Sequence, residues 1–412
     1  MKITKSFFAC LLAGALLLSP TAAAGKLSII TDISDPGQPE ALRELIARFE
    51  KANPDVEVGL TINGREDHKT AIRNFLQANP PDLTTWYAGA RMRIFSDPGL
   101  FADLTELWES ENLNDAMASS DGLVRGGDGK VYGVPYSYYQ WGIYYRRDVM
   151  AEHGVSEPKS WNDLIAACKT LRAASVTPIA IGTKFLWTAA GWFDYLNLRI
   201  NGRDYHLKLA AGEVPYTDSK LDDVFSHWRE LVDNDCFLEN HATYDWVEGT
   251  APIIEGSAAM MLIGNFVMGN LSEAGVADKM EYVQFPRIKA DMPFYEDAPL
   301  DTWHIPSGAK NKVDAMRFLA FAARPENNAL IPAAAGTLPP NKYSPAPQDR
   351  ILREGQQVLA NAAGLAQFYD RDTDPKMAKT GMEGFQEFMV NPDRLDAIRD
   401  RLEKARQRIY KN

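Results

Sequence analysis

The chain is poor in cysteine and histidine, has no long apolar segment after residue 18, and carries fewer basic than acidic residues. Each shortage closes off a class of function. Its three cysteines form no C-x-x-C, which removes dithiol redox chemistry. Six scattered histidines give no H-E-x-x-H, and no G-x-S-x-G occurs, so the common metalloprotease and esterase signatures are missing. Gly126, Gly127 and Gly129 fit neither phosphate-binding glycine pattern; Asp128-Gly129 between valine-bearing segments reads as a hairpin turn instead. With 44 Lys and Arg against 55 Asp and Glu, a nucleic-acid partner is not expected.

The one apolar run, Phe7 to Leu18, is shorter than the roughly 20 residues that span a bilayer. It follows Lys2 and Lys5 and precedes Ser19-Pro20 and Ala22-Ala23-Ala24, which is the pattern of a secretory signal peptide (residues 1–24) cleaved near Ala24. Cys10 lies too early in the run to be a lipid-attachment site. A periplasmic protein of formal charge −13 is then expected, since cleavage removes two lysines. In an oxidising compartment Cys168 and Cys236 are candidates for a disulfide, with two buried thiols as the alternative. The length exceeds what one core usually supports, so two lobes are expected.

The periodicities present are those of an α/β protein. Leu27 to Thr31 reads as a strand, and Leu42, Leu45, Ile46 and Phe49 recur at helical spacing after Pro39 until Asn53-Pro54 stops them. Val56, Val58, Leu60 and Ile62 alternate, and Ala71, Ile72, Phe75 and Leu76 begin another helix. Strand, helix, strand, helix implies a parallel sheet. The aromatic run Val134 to Asp148 is too dense for a surface strand and is expected to cross between lobes. Ser160-Trp161-Asn162-Asp163 is an acidic variant of the capping box. The next strand is expected over Thr177 to Ile181, helices over 221–232 and 315–323, a return crossing near Asp301 to Pro306, and closing helices near 352–362, 376–389 and 393–409.

Several pieces, in this order and spacing, resemble the extracellular solute-binding proteins of carbohydrate ABC importers, the group that includes maltose-binding protein. They are Pro81-Asp82 leading into Trp86, Gly129-Lys130-Val131-Tyr132-Gly133-Val134-Pro135, Tyr144-Tyr145-Arg146-Arg147-Asp148, Pro158 to Leu164, Gly256-Ser257-Ala258-Ala259-Met260 with Gly264, and Gly336 to Pro340. The resemblance implies a two-lobe periplasmic-binding-protein fold of type II, with a first lobe from 25–136 plus 300–340 and a second from 137–299 plus 341–412. It implies a monomer without catalytic residues, cofactor or metal, which binds a sugar in the cleft, closes on it and docks on a membrane permease. Asn265-Phe266 and the loop Asp35-Pro36-Gly37-Gln38 depart from the family pattern, which leaves the sugar open.

Sugars present apolar ring faces edged by hydroxyls, so a site wants flat aromatics beside carboxylate, amide or guanidinium groups. The candidates are Gln38, Arg65 and Trp86 in the first lobe, Tyr139 and Trp141 in the crossing, Trp187, Gly191 and Trp192 in a loop opening a helix, Trp246, Asn265 and Phe266 in the second lobe, and Trp303 at the return crossing. Tyr369, Asp370 and Arg371 join them from a loop that puts aromatic, acidic and basic groups together. Every aromatic among them also reads as a core residue. Arg371 would suit a sulfonated, phosphorylated or uronic sugar. Asp370, Asp372 and Asp374 mimic the opening of a calcium loop, but Pro375 and Gly381 occupy its turn-glycine and bidentate-glutamate positions. A secreted glycoside hydrolase, which needs two carboxylates, and a receptor for a polyamine, iron chelate or oligopeptide are the rival readings.

Overall fold

The computed structural model describes residues 25–410; the signal-peptide reading falls on residues outside that range. Eleven strands are present among the described residues: β1 (Gly25–Thr31), β2 (Val56–Ile62), β3 (Leu83–Tyr87), β4 (Val134–Tyr138), β5 (Trp141–Arg146), β6 (Thr177–Ile179), β7 (Ala258–Gly264), β8 (Met280–Val283), β9 (Tyr295–Asp297), β10 (Leu300–His304) and β11 (Gly364–Ala366). They form a five-stranded sheet in the order β2-β1-β3-β10-β4, a four-stranded sheet in the order β6-β7-β5-β8, and the small pair β11-β9.

The first sheet grows from the strand–helix repeat of the N-terminal sequence. β1 pairs in parallel with β2 and with β3, and the helices Gln38–Ala52 and Arg65–Ala78 are the crossovers. Leu42, Leu45, Ile46 and Phe49 bury one face of the first helix, as their spacing requires. β10 then runs antiparallel between β3 and β4. The core under this sheet draws on residues 27–136 and 300–331.

The second core draws on residues 139–298 and 338–405. Its helix Trp161–Ala173 begins at a capping box in which Ser160 accepts from the Asp163 backbone and Asp163 accepts from the Ser160 backbone. Cys168 on that helix is bridged to Cys236, with Cα atoms 5.3 Å apart and a sequence separation of 68. Closing a loop of that length removes about 4 kcal/mol of chain entropy from the unfolded state. The Gly126–Gly129 segment is a turn closed by a single bridge, Arg125 to Val131, rather than a hairpin of full strands.

The chain passes between the two lobes three times, and the three passages lie side by side. Tyr138 and Leu338 exchange backbone hydrogen bonds of 3.0 and 2.9 Å, and the Tyr139 N–H donates to the Pro299 carbonyl at 3.3 Å. The architecture is a two-lobe α/β fold with a cleft beside this triple passage.

Candidate functional site

A cleft open to solvent at its mouth lies between the lobes. Its walls differ in chemistry. The first lobe supplies Asp35, Gln38, Arg65, Lys69, Tyr87, Tyr136, Ser137 and Asp301, while the second contributes Trp141, Trp187, Trp246, Phe266 and Phe368, with Tyr139 between them at the passage.

The polar wall sits at the carboxyl ends of β1 and β3, where loops leave a parallel sheet and side chains converge. Arg65, at the start of its helix, donates to Asp35 at 2.6 Å and to Asp32 at 3.4 Å. Burial drives the Asp32 carboxyl upward, but Arg65, His68 and the Thr85 hydroxyl outweigh it and hold the group below its usual range. One helical turn on, Lys69 pairs with Glu66 at 2.8 Å; burial lowers its pKa against that attraction. Burial, and after it the charge of Asp32, raises the Tyr87 phenol, so it stays protonated and able to donate. Its hydroxyl has no hydrogen-bond partner within the protein.

Arg371 occupies the centre. It donates to Asp301 Oδ1 at 2.8 Å, to the Leu300 carbonyl at 3.1 Å and to the Tyr139 hydroxyl at 2.5 Å, and its guanidinium lies 4.1 Å from the centroid of the Tyr87 ring. The Tyr139 hydroxyl in turn donates to Asp301 Oδ2 at 2.9 Å. Burial disfavours the Arg371 charge, but Tyr139, Asp301 and Tyr87 more than offset this and keep it charged. Asp370 accepts from Arg91 at 3.2 Å. The three cations and three carboxylates that line the cleft balance, and each of the carboxylates has an arginine partner.

The aromatic wall is held by edge and tilted contacts. Trp141 lies 4.7 Å from Phe368 and 6.0 Å from Trp187, and Phe266 meets Trp246 at 5.2 Å and Tyr139 at 5.4 Å. Trp141 Nε1, like the Tyr87 hydroxyl opposite, has no partner within the protein.

Of the residues named from sequence, the structure brings Gln38, Arg65, Tyr139, Trp141, Trp187, Trp246, Phe266, Asp370 and Arg371 to the cleft. Others lie elsewhere, each for a local reason. Trp86 is 3% exposed and packs on Phe95 and His68, because side chains alternate along β3 and its neighbour Tyr87 takes the cleft side. Trp192 follows Trp187 by five residues, so it projects from the far side of the helix and packs on Phe237 and Phe285. Gly191 makes room instead of contact: a Cβ there would come 2.8 Å from the Trp141 ring. Asn265 is fully buried beside Phe266, and Trp303 stands two residues deeper along β10 than Asp301, packed on Tyr136 and Phe318. Tyr369 points into the second core, its hydroxyl bonded to that of Tyr216.

Lys69, Tyr87, Tyr136, Ser137, Asp301, Thr337 and Phe368 were not among the candidates. Helical spacing from Arg65 would have found Lys69. A register irregularity where β10 passes β4 lets the adjacent residues Tyr136 and Ser137 both reach the cleft, which no alternation pattern foretells.

Comparison with known proteins decides the family. The family model for bacterial extracellular solute-binding proteins matches residues 35–329. The chain belongs to the bacterial extracellular solute-binding proteins. Among relatives in this family, an uncharacterised ABC transporter extracellular-binding protein of Pyrococcus horikoshii is 25% identical over 334 residues, 79% of this chain and 74% of that one. The melibiose/raffinose/stachyose-binding protein MelE of Bacillus subtilis is 27% identical over 150 residues, 36% of this chain and 34% of that one. Among solved structures, the bacterial solute receptor AcbH, with its exclusive preference for β-D-galactopyranose, superposes with a TM-score of 0.87 at 28% identity over 94% of this chain and 100% of that one. A chitin oligosaccharide binding protein shares the fold at 20% identity and a TM-score of 0.81, covering 93% of this chain and 98% of the other.

Proposed function

We propose that this solute-binding protein captures a small neutral sugar outside the cytoplasm and delivers it, as a monomer, to an ABC permease. The observation that carries this is the pairing of a charge-balanced polar wall with a wall of aromatic rings in one cleft. The aromatic side fits the apolar faces of a pyranose, and the arginine-bound carboxylates keep lone pairs for its hydroxyls. Arg371 is already engaged by Asp301, Arg65 by Asp32 and Asp35, and Lys69 by Glu66, so each cation lining the cleft has a carboxylate partner before an acidic sugar arrives. The sugar receptors AcbH and MelE among the relatives support the same class. This reading assigns no catalytic step to the chain.

Thermal denaturation of the processed protein against D-galactose, melibiose, raffinose, galacturonate and spermidine tests it. A neutral sugar at about one hundred times its Kd should add about 2.7 kcal/mol to stability, with the sugar recovered unchanged. Stabilisation by galacturonate or spermidine, and by no neutral sugar, would overturn the reading; release of a hydrolysed product would overturn its non-enzymatic part.

A further inference from the structure

One segment of the second lobe reaches across the cleft and holds the first lobe without being a chain passage. Its root is apolar. The Phe368 ring lies 4.7 Å from that of Trp141, the Tyr369 ring packs on Phe193 and Phe385, and the Tyr369 N–H donates to Asp194 Oδ2 at 2.9 Å. Its tip is charged. Arg91 donates through Nε to the Asp370 carbonyl at 2.9 Å and through Nη2 to its carboxylate at 3.2 Å. Arg371 holds Leu300 and Asp301 of β10. Asp372 is pressed against Gly89 and feels the charge of Arg93 in the first lobe: a Cβ at Gly89 would lie 2.7 Å from Asp372 Oδ1, and Gly89 has a φ of +74°. Three consecutive charged residues rooted in one lobe thus make all these contacts with the other.

If the lobes part about the triple passage, this segment must leave one of them. The root is a packed aromatic cluster, and exposing it costs buried apolar area. At the tip, Asp370 and Arg371 hold the first lobe by charge-assisted hydrogen bonds whose partners water can replace. Separation therefore occurs at the tip. The Arg91–Asp370 pair is screened little while the cleft is shut, since its side chains are 14% and 9% exposed.

We propose that residues 370–372 are a latch that sets the balance between the open and closed cleft, with Arg91 and Asp372 as positioning residues that govern how long a sugar stays bound although neither lines the cavity. The residence-time part rests on the sugar-binding reading; the latch itself does not. Each 1.4 kcal/mol lost from the closed state shifts the balance tenfold, and in a preformed cleft the loss falls on the off-rate.

The test uses the full processed chain with Arg91→Ala, Arg91→Lys and Asp372→Asn. Small-angle X-ray scattering without ligand is expected to give a larger radius of gyration for Arg91→Ala and Asp372→Asn than for the wild type, with Arg91→Lys in between because it keeps charge but loses the two-point contact. Stopped-flow with D-galactose should show an off-rate raised about tenfold and an on-rate little changed. Wild-type scattering curves for both Arg91→Ala and Asp372→Asn would overturn the latch. So would wild-type off-rates in both. Asp372→Asn, which preserves shape, carries the test if Arg91→Ala does not fold. If the wild type binds none of D-galactose, melibiose and raffinose, the sugar reading fails while the ligand-free scattering still decides the latch.

Discussion

The two walls of the cleft solve different halves of one recognition problem. The first lobe offers fixed hydrogen-bonding groups, each charge tied to a partner before any ligand arrives, as Arg65 is to Asp32 and Asp35. The second lobe offers rings, Trp187, Trp246 and Phe266 among them, packed edge to face. Directional groups discriminate between sugars that differ by the orientation of one hydroxyl, because a mismatch leaves a buried polar group unpaired. Rings supply affinity that is less sensitive to configuration. Specificity should therefore reside mainly in the first lobe and the passage, and strength in the second.

The largest effect expected from breaking this division is at Arg371. Arg371→Ala leaves the Asp301 carboxylate buried beside Tyr139 without its cation; breaking such a pair costs about 3–5 kcal/mol. Calorimetric unfolding should show that loss, and titration calorimetry should show sugar binding weakened by at least about a hundredfold. Arg371→Lys should restore only part of either, since a lysine cannot bond two partners in one plane.

Acid should separate the lobes next. In the first lobe, burial pushes His304 down to about 3, against a hydrogen bond to the Tyr132 carbonyl. The folded lobe keeps it neutral while the unfolded chain takes up a proton below about pH 6.5, so its contribution is complete above that value and falls as pH drops, by about 1.4 kcal/mol per unit. Asp32, held low, adds a further loss below its unfolded value of 3.8. In the second lobe His206 and His241, both pushed down to about 4 by burial, act in the same direction. There, however, burial raises Asp194 and Asp297 well above 3.8, the first also through Asp297 and the second through Glu296. These two keep protons that the unfolded chain releases, and their contribution grows as pH falls toward 3.8. Lowering the pH from about 6.5 to about 4.5 should therefore lower the calorimetric transition of the first lobe more than that of the second; equal shifts, or a larger one in the second lobe, would contradict it.

Smaller effects sharpen the contrast between affinity and discrimination. Trp187→Ala removes a half-buried ring from the aromatic wall and should cost about 1–2 kcal/mol of binding with the ranking of sugars kept, read by titration against a panel. Lys69→Gln touches a partly exposed pair with Glu66 and should cost under about 1 kcal/mol. That effect should shrink further as salt is raised.

Periodicity exposed the fold well. The buried stripe of the Gln38–Ala52 helix, the alternation in β2 and the capping box at Ser160 are local patterns, and local patterns survive into the structure. The cleft was legible only in part. A dense aromatic run marked Tyr139 and Trp141, but which face of a strand a tryptophan takes is fixed by the packing beyond it, and so Trp86 and Tyr87 exchange roles. Depth is equally invisible: Asp301 and Trp303 share a strand, yet one lines the cleft and the other is packed in the core. The Arg371–Asp301 pair spans 70 residues, and its pairing is a product of topology that composition does not encode.

The placement of β10 has a consequence for how the protein is made. Its partners β3 and β4 end at Tyr87 and Tyr138, but β10 itself begins only at Leu300. The middle of the first sheet is thus vacant until nearly three quarters of the polypeptide has been synthesised, and the second lobe waits longer still for the helix Leu395–Ile409. Neither lobe can finish folding as it emerges. Contacts this distant in the chain also fold slowly once the chain is complete. The interleaved topology that places three passages at one hinge thereby delays folding until almost the whole polypeptide is available.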